Sequence, residues 1–105
     1  MKQLEAQQLH QRLHQGNPPL LLDVREDWEC AIASIEGARH IPMNEIPERI
    51  AELEPERETV VICHHGMRSE QVARYLEQNG FIDVSNLSSG IDGWAREVDS
   101  SVPVY

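Results

Sequence analysis

The chain has 105 residues, nine Lys and Arg against eighteen Asp and Glu, a net charge of −9 and two cysteines. That length suits one domain over residues 1–105, and the acidic balance argues against binding to nucleic acid or anionic membranes. No apolar run approaches the ~20 residues of a membrane span, and Met1–Glu5 lacks the apolar segment of a signal peptide, so a cytoplasmic setting is expected, in which a Cys30–Cys63 disulfide is the weaker reading.

Leu9 and Leu13 lie one helical turn apart, which predicts an exposed helix over Glu5 to Gln15, stopped by Gly16-Asn17-Pro18-Pro19. Leu20-Leu21-Leu22 reads as a short strand covered on both faces, ending in the polar group Asp23-Val24-Arg25-Glu26. Asp27 can cap a short helix from about Trp28 to Ala33, and Gly37 turns the chain into a brief strand at Arg39-His40-Ile41 before Pro42. Pro47 suits the first turn of a helix on which Ile46, Ile50 and Leu53 share one face, and Pro55 ends it.

Thr59 to Ile62 is an apolar, β-branched run read as a buried strand. A tight loop follows, then a helix from Ser69 to Asn79 carrying Val72, Ala73, Tyr75 and Leu76 at helical spacing. Gly80 sits where a helix C-terminus accepts a left-handed residue, and Phe81 to Leu87 supplies another strand. Ser88-Ser89-Gly90 opens a last helix, with Ile91, Trp94 and Val98 toward the core and Ser100 to Tyr105 as a tail. Repeated strand-then-helix order predicts an α/β fold of three layers: a mostly parallel sheet of about five strands with helices on both faces. Ligands of such sheets bind beyond the carboxyl ends of the strands.

The loop Cys63-His64-His65-Gly66-Met67-Arg68-Ser69 occupies such an end. Its backbone N–H groups, beside a helix N-terminus of partial positive charge, can converge on an anion and stabilise a thiolate, which makes Cys63 a candidate nucleophile. The planar fork of Arg68 suits an oxyanion better than an exposed ion pair with Glu70 or another carboxylate. His64 and His65 have no spaced His or Cys partner to complete a metal set, so they, with Gly66 and Met67, are read as lending backbone donors. Cys30 lacks CxxC spacing and is read as structural, Asp23 and Arg25 as bracing loops at a strand end, and Trp28 and Trp94 as core or rim aromatics. No cofactor or metal is expected.

Four segments in order, Leu20-Leu21-Leu22-Asp23-Val24-Arg25-Glu26, Gly37-Ala38-Arg39-His40-Ile41-Pro42, Cys63 to Ser69, and Gly90-Ile91-Asp92-Gly93-Trp94, together resemble a single-domain rhodanese from about Leu20 to Trp94. The resemblance implies a rhodanese-like sheet fold and a sulfurtransferase. Cys63 would take sulfane sulfur from a donor such as thiosulfate or polysulfide, hold it as a persulfide, and pass it to cyanide, a thiol or a sulfur-relay protein. His64, His65, Gly66, Met67 and Arg68 would bind the transferred sulfur or its donor. The chain departs from the family in having Ala33-Ser34-Ile35 where Gly-His-Ile is common. A cysteine phosphatase or arsenate reductase on a related scaffold spaces its cysteine and arginine by five residues, whereas four separate Cys63 from Arg68. A non-catalytic binding module is the remaining alternative, and the presence of Cys63, Gly66 and Arg68 weighs against it.

Overall fold

A computed structural model describes residues 1–105. Its elements are β1 (Lys2–Leu4), α1 (Ala6–Leu13), β2 (Leu20–Asp23), α2 (Asp27–Ile32), β3 (Arg39–His40), α3 (Ile46–Arg49), β4 (Thr59–Ile62), α4 (Met67–Gln78), β5 (Val84–Leu87) and α5 (Gly90–Glu97). The five strands form one sheet in the order β1-β5-β4-β2-β3, and every neighbouring pair is parallel.

The alternation of side chains along a strand assigns the two faces. Val60 and Ile62 of β4 join Leu21, Leu87, Ile91 and Trp94 in an apolar layer that also takes Ala6 and Leu9 from α1. Val61 and Cys63 point the other way, into a layer with Leu22, Ile46, Val72 and Leu76 from β2, α3 and α4. Both faces of β4 are therefore covered, which is why its sequence is a continuous apolar run. Cys63 continues the α4 side of that strand by one residue and is delivered to the sheet's carboxyl end.

Several boundaries differ from the pattern-based expectation for local reasons. β1 is an edge strand of three residues, exposed except for Leu4, and too short to show a period of two. The predicted strand over Phe81–Leu87 contracts to Val84–Leu87: Gly80 turns at φ +88°, Phe81 N–H bonds back to the Leu76 carbonyl, and Ile82 N–H bonds to the Pro55 carbonyl. The single helix through Ile46, Ile50 and Leu53 is instead one α-turn between two 3₁₀ turns, Met43–Glu45 and Ile50–Glu52. So short a segment gains little from helix propagation, and packing of Ile46 and Leu53 holds it. The cap of α2 is Glu26 in place of Asp27, in a reciprocal box with Glu29. Trp94 is buried, but Trp28 is 62% exposed.

Candidate active site

Cys63 lies on the floor of a cleft of about 350 Å³ lined also by His64, His65, Met67, Arg68 and Gln71. Its side chain is 1% exposed, and its sulfur accepts hydrogen bonds from the Gly66 N–H at 3.0 Å and the Ser69 hydroxyl at 3.2 Å. The amides of His64, His65, Met67 and Arg68 donate to no acceptor within the protein. These four amides of the loop are thus free, next in sequence to or within two residues of the Gly66 N–H that is already on sulfur.

The loop keeps this shape because its carbonyls are tied down on the outside. Ile91 N–H, at the start of α5, donates to the Cys63 carbonyl at 2.9 Å, and Asp92 N–H donates to the His64 carbonyl at 3.1 Å. Two glycines make the approach possible. Gly66 has φ +102°, and a Cβ there would stand 2.2 Å from the Ser88 carbonyl oxygen. Gly90 has φ +64°, and a Cβ there would stand 2.2 Å from the His64 carbonyl oxygen. Both positions need a left-handed backbone and no side chain. Because Gly66 rather than a later residue precedes the first helical turn, α4 begins at Met67, two residues before the predicted start.

Ser69 has one hydroxyl proton and two neighbours. It reaches both Cys63 Sγ and Asn86 Oδ1, while Asn86 Nδ2 donates to the Gly66 carbonyl at 3.1 Å and to Gln3 Oε1 at 2.9 Å. When Cys63 is a thiol, the Ser69 proton can stay on Asn86; when it is a thiolate, the same proton can turn to sulfur. Asn86, on β5, also fixes the Gly66 peptide from the opposite side of the loop.

Arg68 is engaged by a partner the spacing did not reveal. Its Nη1 and Nη2 donate to Glu29 Oε1 and Oε2 at 2.6 and 2.9 Å, a bidentate pair with a residue 39 positions upstream. Where the fork was expected on an oxyanion, it rests on a carboxylate that is 3% exposed and would be an unpaired buried charge without it. Bonding to Arg68 pulls the Glu29 carboxyl down to about 2 despite its burial. Glu29 Oε2 also accepts the Tyr105 hydroxyl at 2.7 Å, and Tyr105 in turn accepts from Arg25 Nη1 at 2.9 Å. Burial pushes the Tyr105 phenol up to about 12.

Arg25 is fully buried, with Nε and Nη2 on the Asp23 carboxylate and Nη2 on the Ala33 carbonyl at 2.6 Å. The bracing role expected of Asp23 and Arg25 is therefore what they perform. Burial would lower the Arg25 pKa, but its bonds to Asp23 and Tyr105 outweigh that and raise it.

His64 is sandwiched between His65 and Tyr105, each ring centroid 3.9 Å from its own. Burial, and then the neighbouring His65, lower its pKa and favour the neutral ring. The fold supplies a third group near the pair, Asp92, with one potential ligand atom of each residue within 4.8 Å of the others. The two imidazole planes are tilted by only 29°, however, and planes so nearly parallel meet well beyond a metal–nitrogen bond of about 2 Å. The Asp92 carboxylate is occupied by Arg96 Nε at 3.0 Å. Cys30 is half-buried and free; burial, then the Asp23 carboxylate, push its thiol up to about 11.

A family model described as a rhodanese-like domain matches residues 5–97. The chain belongs to the rhodanese-like domain family. A rhodanese-like domain protein of Staphylococcus aureus has the same fold, with a TM-score of 0.87 at 32% identity over 100% of this chain and 99% of that one. A protein of Allochromatium vinosum named sulfurtransferase is 38% identical over 91% of this chain and 90% of its own length. A chloroplastic rhodanese-like/PpiC domain-containing protein of Arabidopsis thaliana is 35% identical over the whole of this chain, which spans 38% of that relative. Its loop opens on a cysteine, Cys63, whose sulfur already accepts one loop amide.

Proposed function

We propose that this rhodanese-like domain is a sulfurtransferase that carries sulfane sulfur on Cys63. The observation that carries the reading is the surroundings of Sγ: one amide and one hydroxyl already on the sulfur, and four further loop amides without acceptors. Such a ring stabilises an anion at two successive positions, the thiolate and the outer sulfur of a persulfide, with no proton to be moved. His64, His65, Gly66, Met67 and Arg68 hold the transferred sulfur through their backbone N–H groups.

With thiosulfate, the Cys63 thiolate attacks the sulfane sulfur, the bond from that sulfur to the sulfonate sulfur breaks, and its electron pair leaves as sulfite. The persulfide anion on Cys63 then gives its outer sulfur to a nucleophile. Cyanide departs as thiocyanate, a thiolate departs as a new persulfide, and the Cys63 thiolate is restored in either case. Polysulfide, small thiols and a thiol-bearing relay protein enter the same scheme. Neither half-reaction needs a metal or an external oxidant.

Steady-state release of sulfite and thiocyanate from thiosulfate and cyanide tests the proposal. Turnover is expected from wild type and from Cys30→Ser and not from Cys63→Ser. Turnover by Cys63→Ser would overturn it.

A further inference from the structure

Four donors converge on one carboxylate beside the reactive sulfur. Glu29 accepts Arg68 Nη1 and Nη2, the Tyr105 hydroxyl at 2.7 Å and the Glu26 N–H at 3.0 Å. A carboxylate offers about four lone-pair sites, so Glu29 has none to spare. Glu29 itself is nearly inaccessible at 3% exposure, while the Arg68 side chain keeps 36% of its surface exposed toward the cleft it lines.

Arg68 is the one permanently cationic side chain lining the Cys63 cleft. The nearby Arg25 has no exposed surface and is spent on Asp23. Fixed charge at the cleft therefore cancels between Arg68 and Glu29. What remains for an incoming anion is the partial charge of the loop amides, within a chain of net charge −9. Amides around a single sulfur atom match the transferred sulfane. They supply no counter-charge for a dianion's other oxygens, the task a free guanidinium fork would perform.

We infer that Glu29 is a specificity-determining residue for the sulfur donor: by holding the Arg68 fork it selects against dianionic donors such as thiosulfate and for alkyl persulfides, whose leaving group is a thiol. This rests on the sulfur-transfer reading above. In the favoured reaction the Cys63 thiolate attacks the outer sulfur of R–S–SH and the S–S bond breaks. The electron pair goes to the alkyl sulfur, which departs as the thiol after taking the proton of the transferred S–H. Cys63 is left as the persulfide anion.

The test is single-turnover loading of Cys63, followed by intact mass, from thiosulfate and from 2-hydroxyethyl persulfide. The readout is the ratio of the two second-order loading rates, so that a general loss of loop order divides out. Glu29→Gln, which keeps the shape and removes the charge, is expected to shift the ratio toward thiosulfate by about tenfold, through a lower half-saturating concentration of thiosulfate rather than a faster limiting rate. The wild type supplies a second measurement free of any folding defect. Raising ionic strength from about 0.01 to 0.15 M shortens the screening length from about 30 to about 8 Å, and thiosulfate loading should hold steady or rise as repulsion is screened. A ratio unchanged in Glu29→Gln, or wild-type thiosulfate loading that falls steeply with salt as at an open cationic site, would overturn the inference alone. No loading of Cys63 from either donor would instead overturn the sulfur-transfer reading beneath it.

Discussion

Gly66→Ala separates the catalytic part of the loop geometry from its conformational cost. At φ +102° an L-residue is strained by about 1–2 kcal/mol wherever it sits. Here the new Cβ would also stand 2.2 Å from the Ser88 carbonyl oxygen and 2.9 Å from its carbon. Ser88 has little room to retreat, since its N–H bonds the Leu4 carbonyl at 2.9 Å and its hydroxyl the same oxygen at 3.0 Å. The Cys63 loop must move, at a further cost of about 1–3 kcal/mol, and the N–H that moves is the one on Sγ. Loss of a single pre-organised donor to a reacting anion costs about 10²–10³ in rate. At about 4–8 °C per kcal/mol for a domain of this size, Gly66→Ala should melt at least about 10 °C below wild type. Gly80→Ala is the control. Its φ is +88°, but its Cβ meets no atom within 4 Å, so it bears only the conformational strain and stands apart from the site. Thermal unfolding by circular dichroism and sulfite release at 20 °C check both. If Gly66→Ala melts with Gly80→Ala and turns over thiosulfate within a few-fold of wild type, the close approach of the loop to Ser88 does not hold the donor on sulfur.

Three further expectations are more direct. Arg25→Met strands the buried Asp23 carboxylate and should cost about 3–5 kcal/mol in urea unfolding, of which Asp23→Asn in the same chain recovers a part; no recovery would contradict a coupled pair. Ser69→Ala removes the hydroxyl from Sγ and also leaves the buried Asn86 Oδ1 without its donor, so sulfur loading should slow by about 10- to 100-fold and unfolding in urea should cost about 1–3 kcal/mol; loading at the wild-type rate would show that the hydroxyl does not support the sulfur. Glu29 titrates at about 2 in the folded chain against an ordinary 4.5, so the folded state binds fewer protons. Its contribution, at most about 3 kcal/mol, is complete above pH 4.5 and is lost as pH falls from there through about 2. Acid unfolding followed by circular dichroism should show that loss in wild type and a shallower one in Glu29→Gln.

What could be read from the sequence was whatever depends on neighbours along the chain. The end of the Thr59–Ile62 run, the four-residue spacing from Cys63 to Arg68, and Gly66 between them are local, and together they mark the loop and the strand that carries it. The parallel sheet follows from the alternation of elements, and β4 reads clearly because both its faces are covered. Three-residue β1 gave no period to detect, and the turns either side of α3 are decided by packing rather than propensity.

The site's supporting residues were hidden because their partners are distant. Glu29 looks like an ordinary acid in the first turn of α2, and only the fold brings it to Arg68, 39 positions away. Tyr105 reads as tail, yet it lies on the His64 ring and reaches Glu29 from 76 positions away. Asn86 sits in a strand where an amide has no evident purpose until Ser69 and Gly66 are placed against it. One clue was available: a polar Ser-Asn pair inside the otherwise apolar β5 needs buried partners.

The most direct test of Cys63 as the sulfur carrier is intact mass after incubation with thiosulfate or polysulfide, for wild type, Cys63→Ser and Cys30→Ser, before and after cyanide. A gain of one sulfur that cyanide removes, present in wild type and Cys30→Ser and absent from Cys63→Ser, is the predicted result. A sulfur gained by Cys63→Ser, or none gained by wild type from either donor, would contradict the account.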